Sequence, residues 1–279
     1  MKHANDIISN DAKITILAGR GQYPIILSRA LSDFGREYFV IAVDDEVDRD
    51  WFDRLDNSRK AFISVGQLGK MLNLLQRFRT THVIMAGQVK PKKLFHGMIP
   101  DIKAMLLLSR LKEKNAETIF GAIVQEISSL GIDVIDARSF LEDSLAIDGL
   151  MTMTKLSVND NDVSFGITIA REVARLNIGQ SIVVNNGTVV AVEDFAGTDD
   201  LIRRVGNFRL KNGIFVKTTV TNKDFRFDVP IFGMTTLENL YTSNIRNVVL
   251  GADSVIILDK ENVILQADKY KISIAGILR

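Results

Sequence analysis

KITILAGRGQYPIILSRALSDFG, residues 13–35, decides the fold class. Its first part, KITILAG (13–19), is a short apolar strand closing on a glycine; its second, YPIILSRALSDFG (23–35), carries apolar residues at helical spacing up to Gly35. Strand, glycine loop and helix therefore follow in immediate succession. The alternation continues with EYFVIAVDD (37–45) as a strand, VGQLGKMLNLLQRF (65–78) as a helix and THVIMAGQV (81–89) as a strand ending in a glycine turn. Strands alternating with helices require right-handed crossovers and a parallel sheet, so the N-terminal part is predicted to be Rossmann-like.

Two amphipathic stretches follow, 101–114 and 115–131, the second closed by Gly131, and then a strand at 132–137. The pattern weakens from there to Asn161, which places a boundary near 135–150 and divides the chain into a 1–140 and a 141–279 domain. The second half restarts with a helix over 164–179. It continues with QSIVVNNGTVVAVED (180–194), where two β-branched runs flank Asn186-Gly187, a strong two-residue hairpin signal. A helix is expected over 197–206, with Thr198 and Asp199 suited to its cap, then a strand over 213–220, a helix over 235–245, one or two strands over 247–259, and a closing helix and strand. The C-terminal domain is thus α/β with a mixed sheet.

Composition narrows the chemistry. The 279 residues are 46% hydrophobic, and 35 basic residues face 34 acidic ones, so no global field attracts nucleic acid and any charged ligand needs a local arrangement. The absence of cysteine excludes a disulfide framework, a thiolate metal site and a cysteine nucleophile, and it fits a reducing compartment. Three histidines, His3, His82 and His96, leave little for a His-based metal centre. No leader-like N-terminus and no run long enough to span a bilayer are seen, so a cytoplasmic location is expected.

Four stretches could carry chemistry. AGRGQYP (18–24) is a GxG turn between strand and helix, placed for backbone amides to meet a phosphate. Pro24 replaces the third glycine of a dinucleotide fingerprint, which favours a generic anion or sugar-nucleotide loop over an oxidoreductase. MAGQVKPKK (85–93) is a second glycine turn followed by Lys90, Lys92 and Lys93: a phosphate contact or a solvated basic loop. Glu193, Asp194, Asp199 and Asp200 surround a Gly-Thr turn and could cap a helix or hold a hard cation such as Mg²⁺. In KDFRFDVP (223–230), period-2 alternation puts Asp224, Arg226 and Asp228 on one face of a strand and Phe225, Phe227 and Val229 on the other. That face is either an edge strand's wet side or a carboxylate–guanidinium cluster for metal and phosphate.

Taken in order, ILAGRGQYP (16–24), VIMAGQVK (83–90), GQSIVVNNGTVVAVEDFAGTDDLI (179–202) and VKTTVTNKDFRFDVPIFGMTTLENL (216–240) make the chain similar to the UDP-2,3-diacylglucosamine pyrophosphatase family of lipid A biosynthesis. This is the α-proteobacterial type, unrelated to the metallophosphoesterases. The resemblance runs from about residue 13 to 276. It implies Mg²⁺-dependent hydrolysis to UMP and 2,3-diacylglucosamine 1-phosphate, with the diacylated sugar nucleotide bound between two domains of a homodimer at the inner-membrane surface. It maps a functional aspartate onto Asp224 or Asp228, with Arg226 between them, and cation ligation onto those two with Asp199 and Glu193. Substrate contacts map onto Gly19, Gly21, Gln22, Gly87, Gln88, Lys90, Thr198 and Lys223. Residues 220–223 depart from the family's Lys-Pro-Gly-Gln, which leaves a non-catalytic sugar-nucleotide or lipid-binding module as the alternative. The apolar stretches 102–111 and 119–127 could line an acyl channel or simply pack in the core.

Overall fold

The computed structural model describes residues 4–43, 47–89, 100–220 and 223–278. The chain divides into two units, Met1–Leu141 with Asp224–Asp228, and Glu142–Lys223 with Val229–Arg279. Asp44, Asp45 and Glu46, whose carboxylates follow the second strand at about the distance of a ribose contact, and the lysines at 90, 92 and 93 lie outside the described residues.

The first unit is built on β1 (Ile14–Ala18), β2 (Tyr38–Val43), β3 (Lys60–Ile63), β4 (His82–Ala86) and β5 (Asp133–Val134). All five are parallel, in the order β3-β2-β1-β4-β5. Ile14 and Ile16 on one face of β1 and Thr15 on the other are all fully buried, as expected for a strand covered on both faces. The chain builds outward on one side of β1, then crosses to the other, so the switch point lies between β1 and β4. Ligands of such sheets bind beyond the strands' carboxyl ends at this point. The helix Tyr23–Asp33 ends as its sequence suggests: Gly35 takes φ +67° and the Arg36 amide donates back to the Leu31 carbonyl at 2.8 Å.

Two glycine turns meet at that point. The Gly19 amide donates to the Ala86 carbonyl (2.8 Å), and Arg20 and Gln88 exchange backbone hydrogen bonds at 2.7 and 3.1 Å. A Cβ on Gly19 would lie 2.6 Å from the Gln88 carbonyl oxygen, and one on Gly87 would lie 2.8 Å from that of Arg20. These glycines permit backbone-to-backbone contact. Gly19→Ala should therefore destabilise the protein by about 1–3 kcal/mol, whereas Gly121→Ala, in the helix Ala116–Ser128 with open space at its Cβ, should be neutral or mildly stabilising. Urea midpoints of the two variants check this; equal midpoints would refute the close-approach reading.

The second unit carries β6 (Gly149–Leu150), β7 (Ser181–Asn185), β8 (Thr188–Val192), β9 (Gly213–Lys217), β10 (Ile231–Phe232), β11 (Asn247–Gly251), β12 (Ile256–Ile257) and β13 (Ser273–Ile277). Its main sheet runs β6-β13-β11-β9-β7-β8; β9, β11 and β13 are parallel, whereas β6, β7 and β8 run antiparallel to their neighbours. The mixed sheet expected from the sequence is present, and β10 pairs with β12 in a separate ribbon. Asn186 (φ 47°) and Gly187 (φ 71°) close the β7–β8 hairpin with the two positive φ values of a type I′ turn. The helix expected over 164–179 spans Asp160–Arg175. It begins earlier because the Asn159 side chain accepts from the Asp162 amide at 2.8 Å.

Candidate functional site

KDFRFDVP is not a strand. The Asp224 carboxylate accepts from the Arg226 amide two residues on (3.1 Å), an Asx turn, and the Asp228 amide closes back onto the Asp224 carbonyl at 3.3 Å. The Arg226 guanidinium completes a fork on the same carboxylate, Nε to Oδ1 at 2.9 Å and Nη2 to Oδ2 at 2.6 Å. Local hydrogen bonding of this kind competes with a ladder, and here it wins. The turn brings Asp228 back toward Asp224 instead of spacing the two carboxylates along a strand. Asp224 in turn raises the pKa of Arg226, which stays a cation at any working pH.

This turn packs on the first unit. The Phe225 carbonyl accepts from the Ala137 amide at 2.8 Å, the Arg138 guanidinium lies 3.5 Å from the centre of the Phe225 ring, and Phe227 stacks on Phe120. Residues 136–138 follow β5, as 19–22 follow β1 and 87–89 follow β4, so the acidic turn and both glycine turns gather along the carboxyl edge of one parallel sheet. The Gly19 amide is taken by the Ala86 carbonyl and those of Arg20 and Gln88 by each other's carbonyls, and Gly19 and Gly87 permit the close approach of the two turns. Gly21 (φ 100°) has open space at its Cβ, and Gln22 stands as the helix N-cap without a side-chain cap. Lys90 lies outside the described residues.

The remaining predicted residues belong to the second unit. Glu193 accepts from Ser181 Oγ (2.6 Å), Thr198 Oγ1 (2.7 Å) and the Gln180 amide (3.2 Å). Lys217 Nζ lies 3.6 Å from Glu193 and donates to Thr198 Oγ1 at 2.8 Å. Glu193 is therefore the centre of a buried polar knot, with a cation already beside it. Thr198 does not cap its helix: Gly197 is the N-cap, at φ 88°, and the Thr198 hydroxyl is held between Glu193 and Lys217. Asp199 lies in that helix's first turn and accepts from Asn239 at 3.0 Å; Lys223 Nζ donates to Asn177 at 3.0 Å. Ser181, Asn239 and Lys217 had no distinguishing signal in the sequence.

Burial pushes Glu193 up, but Lys217 and the three hydrogen bonds outweigh it and leave the carboxyl below the ordinary glutamate value of 4.5. A depressed folded-state pKa gives stability that is present above that value and lost as pH falls through the folded one. The urea midpoint of the wild type should thus drop below pH 4.5, while that of Glu193→Gln, lower at neutral pH, changes less over the same range. Parallel curves for the two proteins would overturn this.

Among the described residues no group of three or more Asp, Glu or His side chains could form a metal cage. Mg²⁺ does not require one, because it keeps several waters and binds through one or two carboxylates plus substrate phosphates. Asp224 and Asp228 share one turn through the Asp228 amide on the Asp224 carbonyl, and oxygen donors of this kind are what Mg²⁺ takes.

A Rossmann-like unit with an acidic, arginine-bearing turn at its carboxyl edge, joined to a second mixed α/β unit, defines a two-domain α/β protein equipped for an anionic ligand. Residues 13–144 match the LpxI N-terminal domain and residues 148–275 the LpxI C-terminal domain. The chain belongs to the LpxI family. It is 26% identical over 277 residues to the UDP-2,3-diacylglucosamine pyrophosphatase LpxI of Caulobacter vibrioides, covering 95% of this chain and 97% of that one.

Proposed function

We propose that this protein hydrolyses the pyrophosphate bond of UDP-2,3-diacylglucosamine, giving UMP and 2,3-diacylglucosamine 1-phosphate. A water oxygen bonds to one phosphorus, the bridging P–O bond breaks, and the water's proton is lost. The observation that carries this reading is the Asp224–Asp228 turn docked at the carboxyl edge of the N-terminal sheet, in a chain matching both LpxI domains.

Hydrolysis needs the negative charge on non-bridging oxygens neutralised and a water aligned with the breaking bond. Arg226, permanently charged and anchored by Asp224, is the group to steady phosphate oxygens. Asp224 and Asp228 are the residues that would hold Mg²⁺, which when bound supplies charge neutralisation. One of the two orients the attacking water.

Lipid handling and assembly are part of the same proposal: a homodimer working at the cytoplasmic surface of the inner membrane. No helix among the described residues is long and apolar enough to cross a membrane. On the helix Ile102–Arg110, Ala104 and Leu107 are buried while Ile102, Met105 and Leu106 are exposed, which suits contact with acyl chains. Over 119–127, by contrast, Ile119, Val124 and Ile127 are buried in the core.

The test is to incubate the purified protein with UDP-2,3-diacylglucosamine and follow UMP. Equimolar UMP and sugar phosphate are expected with Mg²⁺, none with EDTA, and recovery on adding Mg²⁺ back. Substrate binding without UMP release would favour the non-catalytic module instead.

A further inference from the structure

The motif Asp-x-Arg occurs twice where the first unit meets its acidic turn, and the two copies are folded alike. In Asp136-Ala137-Arg138 the carboxylate accepts from the Arg138 amide at 2.8 Å and is forked by its guanidinium, Nε to Oδ1 at 3.0 Å and Nη2 to Oδ2 at 2.5 Å. This repeats the Asp224-Phe225-Arg226 arrangement bond for bond. The two forks are joined at their central residues, because the Ala137 amide donates to the Phe225 carbonyl at 2.8 Å. Arg138 then lies over the Phe225 ring, 3.5 Å from its centre.

We propose that the Asp136–Arg138 fork is a buttress that positions the catalytic turn, with Arg138 and Tyr23 as its positioning residues. This rests on the reading that Asp224 and Asp228 serve hydrolysis. The Arg138 side chain is only 12% exposed while that of Arg226 is 43% exposed, so one fork is set into the unit and the other faces outward. Asp136 fixes the plane of the Arg138 guanidinium before it meets Phe225, and a fixed plane is what a stacked cation needs to hold a ring. Tyr23, the first residue of the helix after the Gly21 loop, donates its buried hydroxyl to the Ala137 carbonyl. Burial and the Asp136 charge push the Tyr23 phenol up, so it remains a donor at any working pH. The peptide groups of Ala137 thus link the glycine loop to the catalytic turn: Tyr23 holds its carbonyl and Phe225 takes its amide.

The experiment compares Arg138→Ala, Arg138→Lys, Phe225→Leu, Phe225→Tyr and Tyr23→Phe by steady-state kinetics, with hydrogen exchange at the Ala137 amide. Loss of Arg138 or of the ring is expected to lower kcat about 10- to 100-fold with KM within about threefold, the size of effect seen when a supporting group is removed. Arg138→Lys should share that loss, since it keeps the charge but not the fork, and Tyr23→Phe should show a smaller fall in kcat. Phe225→Tyr, which keeps the ring, should return kcat to within about threefold of wild type, and Ala137 exchange should quicken in the impaired variants only. If Arg138→Ala and Phe225→Leu lower thermal stability but leave kcat unchanged, the fork is merely structural and the proposal fails. A rise in KM alone would make Arg138 a substrate contact and also overturn it. Asp224→Asn and Asp228→Asn are measured alongside. If both keep turnover, the turn is not catalytic and the buttress has nothing to position, a failure distinct from an inert Arg138.

Discussion

Asp224→Asn and Asp228→Asn are each expected to reduce UMP release about 10²- to 10³-fold, the range for removing one group that stabilises developing charge. Asparagine is the informative replacement because its Oδ1 can still accept from the Arg226 amide, so the Asx turn survives and only the charge is lost. At position 224 that also weakens the guanidinium fork, now 2.9 and 2.6 Å to a carboxylate. If Asp224 matters chiefly as the anchor of Arg226, Arg226→Ala should reproduce its defect. If Asp224 meets the metal or the water itself, Arg226→Ala should be the milder of the two. Circular dichroism must show both variants folded. Turnover within about threefold of wild type for both aspartate variants would remove this turn from the mechanism.

What the sequence made legible were the features whose causes are local. The strand–glycine–helix opening ends at Gly35 because only a residue tolerant of positive φ closes that helix. Asn186-Gly187 made its hairpin because both residues accept the φ values a type I′ turn demands. Long-range partners account for what was misread. Thr198 has the chemistry of an N-cap, but its hydroxyl is held by Glu193 and by Lys217, a residue that only the sheet brings near. The close approach that Gly19 and Gly87 permit was likewise hidden, because it exists only once β1 and β4 are neighbours. KDFRFDVP differs for the opposite reason: its alternation suggests a strand, but the Asx-turn chemistry of Asp224-Phe225-Arg226, local to three residues, prevails. The second Asp-x-Arg, at 136–138, is equally visible in the sequence and is the signal that could have pointed to Arg138.

Lys217→Ala should produce the largest loss of stability among single changes in the Glu193 knot, about 3 kcal/mol, because breaking a buried pair leaves its partner's charge uncompensated. The side chains of Lys217 and Glu193 are 5% and 13% exposed, so little solvent is at hand to replace the ammonium. Without it the Glu193 carboxylate keeps only the neutral donors Ser181, Thr198 and the Gln180 amide. These contacts tie together β7, the segment after β8, the start of the helix Thr198–Gly206 and the end of β9, so the loss is cooperative across the second unit. Removing both charges in Lys217→Met/Glu193→Gln should cost less than the sum of the two single changes, with a coupling of about 2 kcal/mol. The same cycle measured at a pH below the depressed folded-state pKa of Glu193, where its carboxylate takes up a proton, should show the coupling shrink, since protonation removes the attraction that Lys217 supplies. Urea midpoints of the four proteins at the two pH values decide it. Additivity within about 0.5 kcal/mol at neutral pH would mean that the pair carries no special energy.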